Sequence, residues 1–551
     1  MLPPSSLPGA PSDWQHRSIA MAENGMVASA SPLATLVGLE VLRDGGNAVD
    51  AALATAGVLG VTLPMMCGLG GDVFLIVYLA KEGRLEALNG SGVGAYAATR
   101  DYYVDRGYRK MPLSGVHSVA VPGAVDAYCE ARARWGTRPL SELWQPAIDY
   151  AEHGFPMPEI TARWFAETQG ELCRFHNTAR TYLPGGCPPA LGQVFRQPEY
   201  ARSLRRVAQG GADEFYRGKL AEEIVDALRL GGSLLTAREF ADHESEVYTP
   251  IVTNYRGYDV YQTAPPSQGL IMLEELNLVE GYDLAAMGFL SAESIHIMVE
   301  AKKLAFADRL RYARDPRFGR TPLAQLLSKE YASLRRRLID PERAQTAQVP
   351  GALEEGDGDT TYFAVVDKEG NCVSFIHSLS AAFGSKFVAG DTGILMNNRA
   401  GRGFSLEAGH ANVIEPGKKT MHTLNAYLVC REGKPWLVGG TPGGDQQPQW
   451  NLQVITALVD HGLNVQQAAE APRWHSFPGT DPADADEPLE LRLEDRIQPE
   501  VRQALAAKGH ALKTVGPWGA RSAVQLIAID PETGTRLGGS DPRADGCALG
   551  Y

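Results

Sequence analysis

The junction between an acidic, glycine-rich stretch and a strand-like run is the feature that most constrains this chain. Residues 356–359 read Gly-Asp-Gly-Asp, and they lead directly into Thr360, Thr361 and a β-branched and aromatic run that predicts a strand over 360–367. If the bond between Asp359 and Thr360 is cut, Thr360 becomes an N-terminal residue. Its freed α-amine, with an ordinary pKa of about 7.7–8.0, can then act as the general base for its own hydroxyl.

A plainer interpretation of this junction is a surface loop followed by a core strand. Loops of glycine and aspartate before strands are common, so the stretch by itself favours that interpretation. A threonine within an intact chain also lacks an adjacent base. The nucleophile hypothesis therefore depends on the other motifs of the chain.

The composition indicates a large globular protein. The chain has 551 residues, 44% of them hydrophobic and 21% charged, which is enough to form a sizeable core. The formal net charge of −13 argues against a nucleic-acid partner, because nucleic acids select a basic face. A small anionic substrate held by one or two arginines stays compatible with this charge.

The segments around the junction have clear local patterns. A second strand over 372–379 is predicted to form a hairpin with the strand over 360–367. The polar segment 340–359 is expected to be exposed and open to cleavage. Further along, a glycine-rich loop over 439–445 opens a predicted helix over 449–459.

A long helix is predicted over 291–314, before the junction. Lys302, Lys303 and Arg309 are expected on its polar side.

No cofactor and no metal site are predicted. Gly68-Leu69-Gly70-Gly71 lies between a predicted helix and a predicted strand, whereas a dinucleotide fingerprint needs the order strand, loop, helix. We interpret this loop as backbone in close contact with backbone, or lining a site. The twelve histidines show neither HxxxH nor HxH spacing.

The N-terminal residues predict a cytoplasmic protein without a membrane partner. Residues 1–14 lack the basic and apolar regions of a secretory signal. The longest apolar run, residues 51–66, is too short to span a bilayer and contains Pro64.

Short motifs run through nearly the whole chain. They are Asp44-Gly45-Gly46-Asn47-Ala48-Val49-Asp50-Ala51-Ala52, Gly68-Leu69-Gly70-Gly71, Val121-Pro122-Gly123, Phe306-Ala307-Asp308-Arg309, Asp359-Thr360-Thr361, Asn397-Asn398, Pro442-Gly443-Gly444 and Asp541-Pro542-Arg543. Each motif by itself is a weak indication of a family. Together, and in this order, they resemble the γ-glutamyltransferase family of N-terminal-nucleophile hydrolases.

The resemblance implies an α+β fold, a four-layer αββα sandwich made as a precursor that cuts itself before Thr360. Residues 1–359 are expected to form the large subunit and residues 360–551 the small one. The two are expected to stay together as a heterodimer, with higher oligomers left open. The resemblance also implies that Thr360 attacks an amide carbonyl and forms an acyl-enzyme.

Three further catalytic residues follow from the resemblance. Gly443 and Gly444 match the oxyanion-hole pair of the family, where one backbone N–H donor is typically worth ~3–4 kcal/mol in the transition state. Ser378 matches a second hydroxyl, usually a threonine, that assists the nucleophile. The plainer interpretation of Gly443 and Gly444 is a pair of turn glycines, which we disfavour. The plainer interpretation of Ser378 is a turn serine, and the sequence does not favour either role for it.

The pocket for the acyl group departs from the family pattern. Ser91 stands where the family has an arginine for the α-carboxylate of the substrate. The acid that should follow the Asn397-Asn398 pair and bind the α-amine is missing, and Arg399 and Arg402 stand near its place.

This departure changes the expected substrate. An arginine facing a substrate ammonium places like charges together, which is costly in a partly desolvated pocket, so recognition of a free α-amine is not expected. Arg399 instead offers a fork for a carboxylate. The further expected substrate-binding residues are Asn398, His422, Thr423 and Ser91. Arg402 is interpreted as a solvated loop charge.

The leading hypothesis is a self-processing amidase or acyltransferase that acts on a γ-glutamyl or related carboxylate-bearing acyl group. One alternative is an authentic glutathione hydrolase or transpeptidase whose pocket has been rebuilt. A second is a small-amide hydrolase, because the pocket is similar to that of oxamate amidohydrolases. An alternative of another class is a catalytically silent binding protein on the same scaffold, against which the intact Thr360, Gly443 and Gly444 argue.

Overall fold

Two antiparallel sheets, each of seven strands, form the centre of the protein. The computed structural model describes residues 14–345, 359–479 and 489–551. Residues 346–358, most of the segment predicted to be exposed and cleavable, lie outside this part of the chain.

The strands follow one another along the described chain. They are β1 (Ala20–Ala22), β2 (Met26–Ser29), β3 (Asp72–Leu79), β4 (Arg84–Gly90), β5 (Phe155–Pro156), β6 (Val194–Phe195), β7 (Glu246–Tyr248), β8 (Ile251–Tyr255), β9 (Tyr258–Gln262), β10 (Asp359–Val366), β11 (Cys372–Ser380), β12 (Tyr427–Arg431), β13 (Lys434–Gly440), β14 (Trp474–Phe477), β15 (Glu490–Glu494), β16 (Leu512–Val515), β17 (Gln525–Ile529), β18 (Arg536–Ser540) and β19 (Cys547–Gly550).

The helices surround the sheets. They are α1 (Pro32–Arg43), α2 (Ala48–Thr62), α3 (Arg100–Val104), α4 (Ala124–Trp135), α5 (Leu140–Leu143), α6 (Gln145–His153), α7 (Glu159–Leu172), α8 (His176–Tyr182), α9 (Pro198–Tyr216), α10 (Lys219–Leu230), α11 (Ala237–Ala241), α12 (Gly269–Val279), α13 (Leu284–Met287), α14 (Ala292–Tyr312), α15 (Leu323–Leu326), α16 (Lys329–Arg336), α17 (Arg399–Gly403), α18 (Gln446–Val459), α19 (Val465–Glu470) and α20 (Pro499–Ala507).

The strand order interleaves distant parts of the chain. The first sheet runs β1-β18-β17-β13-β12-β9-β8, and the second runs β19-β2-β10-β11-β3-β4-β7. Strand β10 therefore lies inside the second sheet, paired with β2 on one side and β11 on the other. Each central strand is fixed by backbone hydrogen bonds on both edges.

Three apolar layers hold the sheets and helices together. Because side chains alternate along a strand, Tyr362 and Ala364 of β10 face the first sheet, whereas Phe363 and Val365 face the helices on the other side. A separate apolar layer joins α12, α14 and α18 to the outer face of the first sheet. This arrangement is the predicted αββα sandwich, and the fold expectation is confirmed.

The predicted hairpin is confirmed to within one residue at its strand ends. Strand β10 and strand β11 pair antiparallel, with Thr361 opposite His377 and Val366 opposite Cys372. Helix α18 begins at Gln446, three residues earlier than expected. Pro448 falls in its first turn, where a backbone N–H is not needed for the helix.

The long helix differs from its expected environment. Helix α14 was predicted to turn Lys302, Lys303 and Arg309 toward solvent, but all three side chains are buried. Each has a partner inside the protein: Lys302 Nζ donates to the Pro478 carbonyl at 2.7 Å and Lys303 Nζ donates to Glu300 at 2.7 Å. Helix α20 and the 473–479 segment, which includes β14, pack against α14 and cover this side of it.

No helix in the described ranges is both long enough and apolar enough to cross a membrane.

Helix α12 carries a buried acid without a direct partner. Neither carboxylate oxygen of Glu275 has a hydrogen-bond partner in the described part of the chain. Burial raises the pKa of Glu275 from 4.5 to about 8, although the positive charges of Lys302 and Arg309 partly oppose the shift. Glu275 is therefore protonated in the folded protein at neutral pH.

We predict that Glu275→Gln stabilises the protein far more at pH 8 than at pH 5. An unfolded glutamate loses its proton near pH 4.5, whereas folded Glu275 keeps it up to about pH 8. Folding above pH 4.5 must therefore take up a proton, and this cost grows as the pH rises toward 8. Glutamine has no such cost, so we expect a gain of about 4 kcal/mol at pH 8 and of about 1 kcal/mol or less at pH 5.

The measurement is the melting temperature of both proteins at pH 5 and pH 8. Glu293→Gln, at an exposed position of α14, is the matched control. An equal gain at both pH values would contradict the assignment of a protonated Glu275.

Candidate active site

The predicted nucleophile lies at the start of β10, on the face between the two sheets. Thr360 is buried, and its Oγ1 donates a hydrogen bond to Ser378 Oγ at 3.0 Å. Ser378 Oγ also accepts the backbone N–H of Ser380 at 2.8 Å. The structure thus brings together the two hydroxyls that the sequence proposed as nucleophile and assistant.

The strand register extends this pair into a row. Ser378 lies directly opposite Asp72 in the pairing of β11 with β3, and Ser91 follows the end of β4 on the next strand. Thr360, Ser378 and Asp72 therefore occupy neighbouring positions on one face of three adjacent strands. Ser91 Oγ donates to Asn89 Oδ1 at 2.6 Å, so its hydroxyl is engaged within its own turn.

Asp72 is the main site residue that sequence reasoning missed. Its Oδ2 accepts hydrogen bonds from Arg399 Nε at 3.3 Å and from His422 Nε2 at 3.1 Å. Its Oδ1 accepts the backbone N–H of Gly123 at 3.4 Å. The acid that the family carries after Asn397-Asn398 is absent from that place, but β3 supplies another carboxylate beside Arg399.

A sequence signal for Asp72 existed. It is the one charged residue in an otherwise apolar strand, Asp-Val-Phe-Leu-Ile-Val-Tyr-Leu, and a charge in such a strand needs a buried partner. Its partners lie more than 320 residues away along the chain, at separations of 327 and 350 residues, so spacing could not identify them.

The charges of this cluster balance at neutral pH. Burial alone would raise the pKa of Asp72, but the hydrogen bond from His422 and the positive charge of Arg399 outweigh it and lower the pKa. Burial, together with the charge of Arg399, lowers the pKa of His422 to about 4, although Asp72 opposes that shift. At pH 7 an ionised Asp72 therefore faces a charged Arg399 and a neutral His422.

The hydrogen bonds fix the form of this histidine. Because a carboxylate only accepts, His422 Nε2 must carry the proton that is donated to Asp72. His422 Nδ1 is then an acceptor, and it has no hydrogen-bond partner among the residues that the structure describes. The ring packs against Phe74 of β3 with a centroid distance of 4.8 Å.

The predicted substrate-binding residues after β11 are also close together. Arg399 begins α17, and its Nη1 donates to Thr423 Oγ1 at 3.3 Å. Asn398 lies beside it, with Oδ1 accepting the Ala381 N–H and Nδ2 donating to the Leu113 carbonyl, both at 3.0 Å. The structure thus groups Arg399, His422 and Thr423, whereas the Asn398 amide is bound to backbone at both ends.

Arg402 is not the solvated loop charge that the sequence suggested. Only 4% of the residue is exposed, and its Nη1 donates to the Ser380 carbonyl at 2.9 Å. Helix α17 is buried along its whole length, so both of its arginines lie inside the protein. Ser380 adopts a φ of 87°, a left-handed conformation that is uncommon for serine and that occurs often at functional sites.

The loop between β13 and α18 carries the predicted oxyanion glycines. Gly443 and Gly444 have φ values of 127° and 52°, in the region that favours glycine. A Cβ on Gly443 would lie 2.3 Å from the Trp450 ring. Pro442, the residue before them, lines a cavity together with Thr360.

A buried polar network supports this loop, and sequence reasoning missed it. Gln268 Nε2 donates to the carbonyls of Thr423 at 2.6 Å and of Gly444 at 2.8 Å. Gln268 Oε1 accepts Arg309 Nη1 at 2.7 Å, and Arg309 also pairs with Asp445. One glutamine therefore links the glycine loop to the residue that contacts Arg399.

The glycine-rich loop before β3 behaves as predicted. A Cβ on Gly70 would lie 2.1 Å from the Leu395 carbonyl oxygen, so backbone passes closely against backbone here. The Asn397 N–H donates to the Gly70 carbonyl at 2.9 Å. This contact sets the position of the segment that carries Arg399.

One group of side chains has the composition of a metal site. His296, Glu300 and His510 bring their ligand atoms within 4.8 Å of one another. They already bind partners: His296 Nδ1 and His510 Nε2 share a hydrogen bond of 2.8 Å, and Glu300 pairs with Lys303 at 2.7 Å. A cation would have to displace the buried ammonium of Lys303, which does not favour metal binding.

Comparison with known proteins identifies the family. The family model described as gamma-glutamyltranspeptidase matches residues 34–551. The glutathione hydrolase-like YwrD proenzyme of Bacillus subtilis (strain 168) is 39% identical over 534 residues, covering 95% of this chain and 98% of that protein. The glutathione hydrolase proenzyme of Escherichia coli (strain K12) is 36% identical over 550 residues, covering 96% and 92% respectively.

A solved structure extends the similarity to three dimensions. The crystal structure of cephalosporin acylase from Bacillus halodurans matches with a TM-score of 0.89 at 37% identity, and it covers 100% of this chain and 99% of that chain. The chain therefore belongs to the gamma-glutamyltranspeptidase family, as a self-processing amidase or acyltransferase with the N-terminal-nucleophile hydrolase fold.

Proposed function

We propose that Thr360 is the catalytic nucleophile, freed when the bond between Asp359 and Thr360 is cut. The observation that carries this proposal is the 3.0 Å hydrogen bond from Thr360 Oγ1 to Ser378 Oγ on the face between the sheets. Thr360 and Pro442 line one cavity, which supports access of an amide to both the hydroxyl and the glycine loop.

We propose that cutting yields subunits 1–359 and 360–551, which remain associated. The strand order supports this: the first sheet mixes β1, β8 and β9 with β12, β13, β17 and β18, and the second mixes β2, β3, β4 and β7 with β10, β11 and β19. Separating the two subunits would break both sheets, so they form one heterodimer.

The proposed reaction proceeds in two steps. The Thr360 α-amine takes the hydroxyl proton while Oγ1 bonds to the amide carbon, and the backbone N–H groups of Gly443 and Gly444 stabilise the oxyanion. The C–N bond then breaks, the leaving nitrogen takes the proton, and an ester on Thr360 remains. Water or an acceptor amine attacks this ester and releases the acyl group. Ser378 holds the hydroxyl in position.

The row of side chains supports an acyl group with a carboxylate at its far end. Asp72 lies two strands from Thr360, so the Cα atoms of the two residues are roughly 9–10 Å apart. A five-carbon diacid spans about 5 Å between its carboxyl carbons, and a guanidinium–carboxylate contact adds about 3 Å. A glutaryl or γ-glutamyl chain attached to Thr360 therefore fits the distance to Arg399.

The same distance argues against the oxamate-type alternative. The amide and carboxylate carbons of oxamate are adjacent, about 1.5 Å apart, so its carboxylate would stop well short of Arg399. The silent-scaffold alternative is also disfavoured, because the hydroxyl pair and the glycine loop are both in place. The relatives named as glutathione hydrolases and as an acylase support turnover of an amide.

A free α-amine on the acyl chain is not required in this proposal. Both carboxylate oxygens of Asp72 already accept hydrogen bonds, from Gly123, Arg399 and His422. Three of its roughly four acceptor sites are therefore taken, and a substrate ammonium would find one site left beside the positive charge of Arg399. We therefore propose that glutaryl amides are turned over at least as efficiently as γ-glutamyl amides.

We predict that Thr360→Ala abolishes both cleavage and turnover, because the variant has no hydroxyl to attack either carbonyl. The intact mass of the purified, denatured protein should show two fragments meeting at residues 359 and 360 for the wild type and one chain for the variant. Activity that survives in the uncut variant would contradict the nucleophile assignment.

We predict that Arg399→Ala raises KM for glutaryl anilide. The loss of a buried ion pair with the substrate carboxylate should cost ~2–4 kcal/mol of binding free energy. Steady-state kinetics on glutaryl anilide, γ-glutamyl anilide, glutathione, oxamate and an uncharged butyryl anilide would measure it. The butyryl compound is the control, because it has no carboxylate. An unchanged KM for glutaryl anilide would remove Arg399 from the substrate site.

We predict that Asp72→Asn lowers kcat/KM for glutaryl and γ-glutamyl anilides by the same factor, about 10-fold or more, because Arg399 loses the charge that holds it. The ratio of the two kcat/KM values is the informative quantity. A loss confined to the γ-glutamyl compound would mean that Asp72 binds the substrate ammonium, contrary to the proposal.

A further inference from the structure

A cavity lies on the side of Thr360 that is opposite to Arg399. The cavity has a volume of about 190 Å³ and includes Ala30, Met65, Thr361, Trp164, Pro442 and Trp518 in its lining. Ala30 follows β2, whereas Ser378 and Asp72 belong to β11 and β3. Because β10 lies between β2 and β11, the cavity and the acyl row extend to opposite sides of Thr360.

Two tryptophans line this cavity, together with several charged and polar side chains. Trp164 lies on α7, and Trp518 lies in the loop between β16 and β17; both indoles are partly exposed to solvent. Two arginines hold them: the Arg521 guanidinium lies 4.4 Å from the Trp164 ring centroid, and that of Arg496 lies 3.5 Å from the Trp518 centroid. Each of the two indole rings is thus held in place by a guanidinium group.

One polar group in the lining lacks a partner. Thr361 is 1% exposed, and its Oγ1 has no hydrogen-bond partner in the described part of the chain. A buried hydroxyl without a partner costs free energy unless a ligand or water satisfies it. Thr361 follows Thr360 directly, so such a ligand would lie beside the reacting bond.

We propose that this cavity binds the amine half of the amide substrate, and that it selects an amine carrying an aromatic ring. The inference rests on the proposed function, because it assigns the leaving-group side of the same nucleophile. When Thr360 attacks, the acyl half lies along Ser378 and Asp72, and the amine half extends the other way. Aromatic side chains favour a flat ring, and cavities of ~150 Å³ hold benzene.

The test compares two amides that share one acyl group. Glutaryl anilide carries a ring on its nitrogen, whereas glutaric acid monoamide releases ammonia. Trp518→Ala should raise KM for the anilide about 3- to 10-fold, the range of a lost aromatic contact, and change KM for the monoamide less than 2-fold. Trp518→Phe should restore most of the anilide affinity.

Trp14→Ala is the matched control, since Trp14 is also partly buried but lies outside the cavity lining. An equal change of KM for both amides in Trp518→Ala, or no change for either, would overturn the assignment of the pocket. In that case Thr360-dependent turnover of the monoamide would still support the proposed function.

A binding measurement separates the two proposals if turnover fails. Ligand-observed NMR titration of the uncut Thr360→Ala protein with 4-nitroaniline should show saturable binding that Trp518→Ala weakens at least 3-fold. Saturable binding without any turnover by the wild type would overturn the proposed function and support the pocket. No saturable binding beside normal turnover would overturn the pocket alone.

Discussion

The pairing of β10 between β2 and β11 is the constraint on which the rest of the site depends. It holds β10 by backbone hydrogen bonds on both edges from Phe363 to Val366, a few residues beyond Thr360, which is proposed to become a chain terminus. The pleat then turns its hydroxyl toward Ser378 and the facing sheet. A terminus fixed in this way has little freedom to move, so its amine and hydroxyl are positioned before the substrate arrives.

In the proposed complex, the same sheet divides the substrate between two environments. On the β11 side the polar row ends in a balanced cluster of Asp72, Arg399 and His422, which suits a charged acyl end. On the β2 side two tryptophans are among the residues that line the cavity, and their rings suit an aromatic amine. Buried charges are costly unless they are paired, so loss of one member of this cluster would leave an unpaired charge inside the protein.

The sequence predicted the parts of this account that are local. The hairpin, the glycine loop before α18 and the close backbone contact at Gly70 follow from turn residues and strand composition. The partners of Asp72, the role of Gln268 and the burial of Arg402 and Arg309 could not be predicted, because each depends on residues that only the sandwich brings together. Gln268 and Gly444, for example, are 176 residues apart. Charged residues on a helix usually face solvent, whereas other elements of the sandwich cover Lys302, Lys303 and Arg309 here.

The most direct test of the central claim is to trap the acyl-enzyme. Processed protein is mixed with glutaryl anilide, quenched in acid within milliseconds, and the small subunit is digested for mass spectrometry. The account predicts a mass increase of one glutaryl group on the peptide that begins at Thr360. Turnover with the glutaryl group on another residue, or on the large subunit, would contradict it.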